Sequence, residues 1–264
     1  MENMEKIFKQ FYKWNPKIPL FFEKGKTILI GHRGAPLLAI ENTLESFKCA
    51  FEANLKGVEL DIQLSKDKKL FIFHDWEIKT NQEKAYVISK LNYSKILLIS
   101  EQKKFIIPLL KDIIKILPKK SFLNIEIKSM NIINNGIEKH LLKLLIENNI
   151  LNRVIISSFN PFSIYRIKKN QPNALTAFLW TNRNPCLLIN TPLWVWFCKP
   201  DGFHIDYNSI NDKIINWVKN KKMFLLTYTI NNKKDYYKAK KLNFHGIFTD
   251  NPNLLIHNNK SQKT

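Results

Sequence analysis

Apolar residues recur along this chain in two rhythms, and the alternation between them is the main structural signal. Eight short runs have strand character: TILIGH from Thr27, VELDI from Val58, LNIEI from Leu123, VIISSF from Val154, LTAFL from Leu175, GFHID from Gly202, FLLTYT from Phe224 and GIFTD from Gly246. Between them lie stretches with apolar residues three or four apart, which predicts helices over Pro108–Leu117, Asn134–Asn149, Pro161–Asn170 and Ser209–Lys221. Strands that alternate with helical linkers build a parallel sheet, and eight of them close a single α/β (β/α)₈ TIM barrel. The barrel is expected over residues 27–256, with an N-terminal extension at 1–26 and a polar tail at 257–264.

The densest stretch runs from Ile30 to Asp75. Asn42 and Glu45 have capping-box spacing for a helix through Ala53. In VELDIQL, period two sets Glu59, Asp61 and Gln63 on one face. A two-residue turn at Asp67-Lys68 would pair Lys66 with Lys69 and set Asp61 directly opposite His74. Residues 76–106 are the least regular and read as a small insertion, a loop with a short helix placed over the site. The apolar segment Pro192–Phe197 reads as packing on the barrel. Met4, Ile7, Phe8 and Phe11 have helical spacing among lysines, so residues 4–14 form a basic amphipathic helix, packed under the domain or touching a membrane peripherally.

Composition narrows the class. The 264 residues bury a large core without disulfides, and Cys49, Cys186 and Cys198 show no metal or redox spacing. The start lacks the apolar run of a secretory signal, so a cytoplasmic protein is expected. The formal net charge of +20 is spread over scattered lysines with no dense arm. Drift toward Lys, Asn and Ile accounts for it more simply than a nucleic-acid site, and no nucleic-acid partner is expected. The oligomeric state is left open.

A barrel enzyme works where its strands end. His32, Glu59, Asp61, Glu126, Lys128, Thr229 and Asn231 all fall there. Glu59, Asp61 and Glu126, with no cysteine nearby, suit a hard divalent cation, Mg²⁺ or Ca²⁺ rather than Zn²⁺. Arg33 and Lys128 beside them suit a phosphate oxyanion. His32 and His74, on separate elements, suit acid and base on either side of a P–O bond. Each feature alone has a structural explanation: a salt-bridge partner, a strand-end histidine, or a Glu126–Lys128 pair. Their conjunction at successive strand ends points to metal-assisted phosphodiester cleavage.

These motifs resemble the glycerophosphodiester phosphodiesterase family from Thr27 to Leu255. The matching motifs are His32-Arg33-Gly34 with Glu41-Asn42-Thr43, Glu59-Leu60-Asp61 with Phe73-His74-Asp75, Ile125–Lys128, Ser157–Phe159 and Gly246–Pro252. The resemblance implies a barrel enzyme that takes small glycerophosphodiesters, such as glycerophosphocholine or glycerophosphoethanolamine, to sn-glycerol 3-phosphate and an alcohol. It implies metal at Glu59, Asp61 and Glu126, acid–base work by His32 and His74, and phosphate contacts from Arg33 and Lys128. It gives Glu41 a place in the metal shell or the loop. Ile40 and Lys68 stand where the family prefers proline and glycine. Tyr228 stands where tryptophan is common near the substrate, which bears on alcohol preference. Competing expectations are a lysophospholipase D or cyclising lyase on lysophospholipids, with residues 4–14 and Pro192–Phe197 at the membrane, and a non-catalytic basic polyanion-binding protein.

Overall fold

The structure is a computed structural model that describes residues 14–183 and 191–255. The predicted helix at 4–14 falls almost wholly outside the described residues, as do the tail and Cys186. In chain order the elements are β1 (Ile28–Gly31), α1 (Leu44–Glu52), β2 (Gly57–Leu64), β3 (Leu70–Ile72), β4 (Glu77–Lys79), β5 (Ala85–Val87), α2 (Tyr93–Gln102) and α3 (Leu110–Ile116). Then follow β6 (Phe122–Ile127), α4 (Ile137–Glu147), β7 (Val154–Ser158), α5 (Pro161–Asn170), β8 (Leu175–Trp180) and α6 (Trp194–Cys198). The chain closes with β9 (Gly202–Asp206), α7 (Asp212–Asn220), β10 (Phe224–Tyr228), α8 (Lys233–Lys241) and β11 (Gly246–Thr249).

Eight strands pair in parallel in the order β1-β11-β10-β9-β8-β7-β6-β2, and β2 returns to β1 to close the barrel. All eight coincide with the apolar runs read from the sequence. Their interior floor is aromatic: Phe122, Phe224 and Phe248 fill it with Ile30 and Leu226. Outward-facing aliphatics such as Leu60, Ile62, Leu123 and Ile125 pack under the helices. Fixing the strands this way puts every strand's C-terminal end, and the loop after it, at one rim.

Four local expectations are corrected. The β2–β3 hairpin pairs Ile62 with Ile72 and Leu64 with Leu70, one residue out of the predicted register, and Phe73 N–H donates to the Asp61 carbonyl. The cause is a three-residue loop. Lys68 adopts a left-handed φ of 62°, and the Ser65 hydroxyl donates to Asp67 and accepts from Lys69 N–H. The cap of α1 is Thr43, whose hydroxyl accepts from Ser46 N–H, and not Asn42. Residues 76–106 hold the antiparallel pair β4–β5 and a ten-residue helix, packed against β3 through Phe71, Ile78, Ile88, Ile96 and Ile99. The helix predicted from Ser209 begins at Asp212, after a 3₁₀ turn at Tyr207–Ser209, because Asn211 caps it. Pro192–Phe197 contributes α6, with Val195 buried and Phe197 stacked on Tyr165 of α5, as expected of a packing segment.

Candidate active site

The rim is built outward from β2 and β6. Asp61 pairs in register with Glu126, and Glu59 lies one pleat below on the same face of β2. One carboxylate oxygen from each of Glu59, Asp61 and Glu126 lies within 4.8 Å of the others. Burial, reinforced by the neighbouring Asp61 and Glu126 charges, pushes the Glu59 carboxyl well above the usual carboxylate range. Burial raises Glu126 too, with Lys128 acting against it.

Two cations flank the three acids. Lys128 Nζ lies 3.0 Å from Glu126 and 3.8 Å from Asp61. Burial opposes its charge, but Glu126 and Asp61 hold its pKa above the ordinary lysine value. Arg33 Nε makes an ionic contact of 3.4 Å with Asp61, and its Nη1 donates to Glu41 at 2.7 Å. The three carboxylates, Glu59 and Asp61 buried and Glu126 partly exposed, offer oxygen donors within 4.8 Å of one another and exceed the two cations in charge, so the donor set fits a hard divalent ion such as Mg²⁺ or Ca²⁺.

The loop after β1 is folded back to bring these groups together. Arg33 takes a left-handed φ of 52° and points its backbone N–H at Glu59, 3.0 Å away. Gly34 at φ 93° passes so close to α1 that a Cβ there would sit 2.4 Å from Ser46 Oγ, which only glycine permits. Asn42, also left-handed at φ 57°, donates from Nδ2 to Asp61 at 2.9 Å.

Both histidines are held through Nδ1 by an aspartate. His32 Nδ1 is 2.7 Å from Asp250 Oδ1, and His74 Nδ1 is 2.7 Å from Asp75 Oδ1. Burial would raise the Asp250 carboxyl, but hydrogen bonds from His32 and Asn231 hold it below the usual range. An ionised Asp250 only accepts, so His32 presents Nδ1–H to it and Nε2 is the ring nitrogen that Asp250 does not engage. His74 reaches the rim by leaving the strand rather than by pairing across the hairpin. Gln63 secures it: Nε2 donates to the Phe73 carbonyl at 2.9 Å and the Asp75 carbonyl at 2.8 Å, on either side of His74.

A family model described as glycerophosphoryl diester phosphodiesterase family matches residues 32–254. The chain belongs to this family.

The glycerophosphodiester phosphodiesterase of Caldanaerobacter subterraneus subsp. tengcongensis is 34% identical over 245 residues, covering 88% of this chain and 97% of that protein. Among solved structures, glycerophosphodiester phosphodiesterase from Thermotoga maritima superposes with a TM-score of 0.71 at 25% identity, over 87% of this chain and 96% of that one. An Oleispira antarctica phosphodiesterase in complex with sn-glycerol-3-phosphate gives a TM-score of 0.69 at 23% identity, over 85% and 93% of the two chains. The glycerophosphoryl diester phosphodiesterase fold is therefore shared as well as the sequence family.

Within this family member every residue singled out from sequence lies on the barrel's C-terminal rim. Glu59, Asp61, Glu126, Lys128 and Arg33 converge, and His74 is close enough for its charge to act on Glu126. Tyr228 ends β10, donates its hydroxyl to the Trp180 carbonyl at 3.1 Å and sets its ring edge-on to Phe159. Burial, with the Glu126 and Asp206 charges, pushes its phenol well above the ordinary value, so it stays neutral. Glu41 pairs with Arg33 and is not among the clustered acids. Sequence reasoning missed the site contacts of Asn42, and the roles of Asp250 and Gln63 in holding the histidines. Asp250 stood in the closing strand-end motif and Gln63 on the carboxylate face of β2, so both carried a signal.

Proposed function

We propose that this protein hydrolyses glycerophosphodiesters, such as glycerophosphocholine and glycerophosphoethanolamine, to sn-glycerol 3-phosphate and an alcohol. The observation that carries this reading is the buried carboxylate trio flanked by two Asp-oriented histidines on one barrel rim. Glu59, Asp61 and Glu126 would hold Mg²⁺ or Ca²⁺, which when bound neutralises phosphate charge and acts as a Lewis acid. Arg33 and Lys128 bind and orient the phosphate oxygens. One histidine takes the proton of the substrate's glycerol 2-hydroxyl through Nε2 as that oxygen bonds to phosphorus, and the other gives a proton to the leaving alkoxide as its P–O bond breaks. Water then adds to phosphorus and the P–O bond to the glycerol 2-oxygen breaks, which releases sn-glycerol 3-phosphate. Tyr228, a neutral ring at the end of β10 in place of the family's tryptophan, would contact the alcohol or glycerol portion. The protein that binds sn-glycerol-3-phosphate in Oleispira shares this fold and supports the product assignment.

The test is release of sn-glycerol 3-phosphate from glycerophosphocholine. EDTA should abolish it, and Mg²⁺ or Ca²⁺ should restore it. Replacing His32 or His74 by alanine should lower the rate by roughly 10²–10⁴-fold in a folded protein. An unchanged rate in either variant overturns the assignment. A non-catalytic polyanion binder would instead bind salt-sensitively with both histidines gone.

A further inference from the structure

We propose that the rim formed by the loops after β1, β3 and β6 docks on an anionic lipid surface. β1 and β6 both pair with β2, and β3 extends from it, so these loops follow neighbouring strands on one side of the mouth. They carry Leu37, Leu38, Ile40, Trp76, Ile132 and Ile133, all exposed, with Leu37 at 65%, Ile132 at 68% and Ile133 at 84%. Elsewhere, Leu98, Ile146 and Tyr237 stand singly on separate helices, and Ile18 with Leu20 and Tyr165 with Phe197 form only pairs, smaller than the rim group.

The display is built rather than incidental. Asn160 Nδ2 donates to the carbonyls of Ser129 and Asn131, both at 3.0 Å, and Arg166 Nη1 donates to the Ile132 carbonyl at 2.9 Å. Arg166 is itself anchored on the buried Glu138. These polar contacts tie the loop's backbone inward and leave its isoleucines facing out. On the neighbouring side, Trp76 shares a groove of about 560 Å³ with Phe73, Phe105, Lys79, Lys103, Asp75 and Glu77. Its charges balance, so this groove contributes an exposed tryptophan suited to a membrane interface, and the attraction to anionic lipid comes from the chain's overall charge.

Charge selects lipid as the occupant. The chain carries a formal +20, which attracts an anionic membrane and opposes a second copy of itself. Among the described residues no helix is long and apolar enough to cross a membrane, so the contact is peripheral. The groove around Trp76 borders the site through Asp75, but Leu37, Leu38, Ile132 and Ile133 are not among the residues assigned to the reaction, and the test reads binding rather than turnover.

The experiment is flotation of the full chain with phosphatidylcholine vesicles, with and without phosphatidylglycerol. Binding is expected to the phosphatidylglycerol vesicles. Ile132→Asn with Ile133→Asn, and separately Leu37→Ser with Leu38→Ser, should each weaken it by about tenfold or more. Hydrolysis of dissolved glycerophosphocholine should stay unchanged in both, which shows that the variants fold. Vesicle binding equal to that of the parent in both variants overturns the proposal and moves the contact to diffuse charge or to residues 1–13. No vesicle binding, or self-association that the same variants abolish, overturns it in favour of another occupant.

Discussion

At the scale of single residues, Gln63 is the most informative side chain. It is buried, and its one amide nitrogen bridges the carbonyls before and after His74. The hairpin register does not aim His74, so this bridge does. Gln63→Leu keeps the volume and removes both donors, leaving two carbonyls unpaired where the loop must hold a fixed shape. We expect turnover to fall by up to roughly 10²-fold with little change in KM, and the histidine limb of the pH–rate profile to move. A variant with parental turnover and profile would show that the loop holds His74 unaided. The residue-level pattern also explains what was legible. Glu59, Asp61, Glu126 and Lys128 could be read because period two fixes a side chain's face once the strand is known. The contact between Asn42 and Asp61 could not, because it depends on left-handed backbone at Arg33, which arginine does not announce, as well as at Asn42, whose residue type only permits it.

At the scale of elements, all eight barrel strands were legible because they are largely buried on both faces, so their runs stay mainly apolar, with polar residues gathered toward the strand ends. The hairpin failed by one residue because loop length, not strand pattern, sets register, and Ser65 with Asp67 and Lys69 favours three residues over two. The β4–β5 pair was illegible for a related reason: of its six residues only Ile78 is buried, so it leaves little apolar alternation. Glycine has a packing role at the start of β2 that sequence does not reveal. A Cβ on Gly57 would meet the Phe122 ring at 2.3 Å, in the aromatic floor of the barrel. That ring is fully buried and cannot swing aside without displacing Phe21, stacked on it at 4.1 Å. Gly57→Ala should therefore cost about 1–3 kcal/mol and lower the melting temperature by several degrees. Thermal denaturation reads this directly, and a melting temperature equal to the parent's would mean the floor has slack.

At the scale of the whole molecule, the carboxylate trio ties global stability to pH and to the cation. Glu59 and Glu126 both have folded-state pKa values above the ordinary carboxylate range, chiefly through burial. Such groups hold their protons more tightly when folded than when unfolded. Their contribution to stability is present below the unfolded value and is lost as pH rises through the raised folded value. Asp250, held below its usual range, works in the opposite sense, and its contribution is lost only as pH falls through its depressed value. The metal-free protein should thus weaken as pH rises through the raised Glu59 and Glu126 values. On the proposed metal assignment, a divalent cation held by the ionised carboxylates would reverse this, adding about 2.7 kcal/mol at a hundredfold excess over Kd. The metal-induced rise in melting temperature should be small in mildly acidic buffer and grow as pH passes upward through the raised pKa values. Glu59→Gln should lose most of that increment while making the metal-free protein more stable at pH above the raised Glu59 value. An increment that is constant with pH, or greatest in acid, would place the cation away from the trio. An increment that grows through the raised Glu59 and Glu126 values and is lost in Glu59→Gln would place the cation at these carboxylates, so one set of melts tests the proposed metal site without measuring turnover.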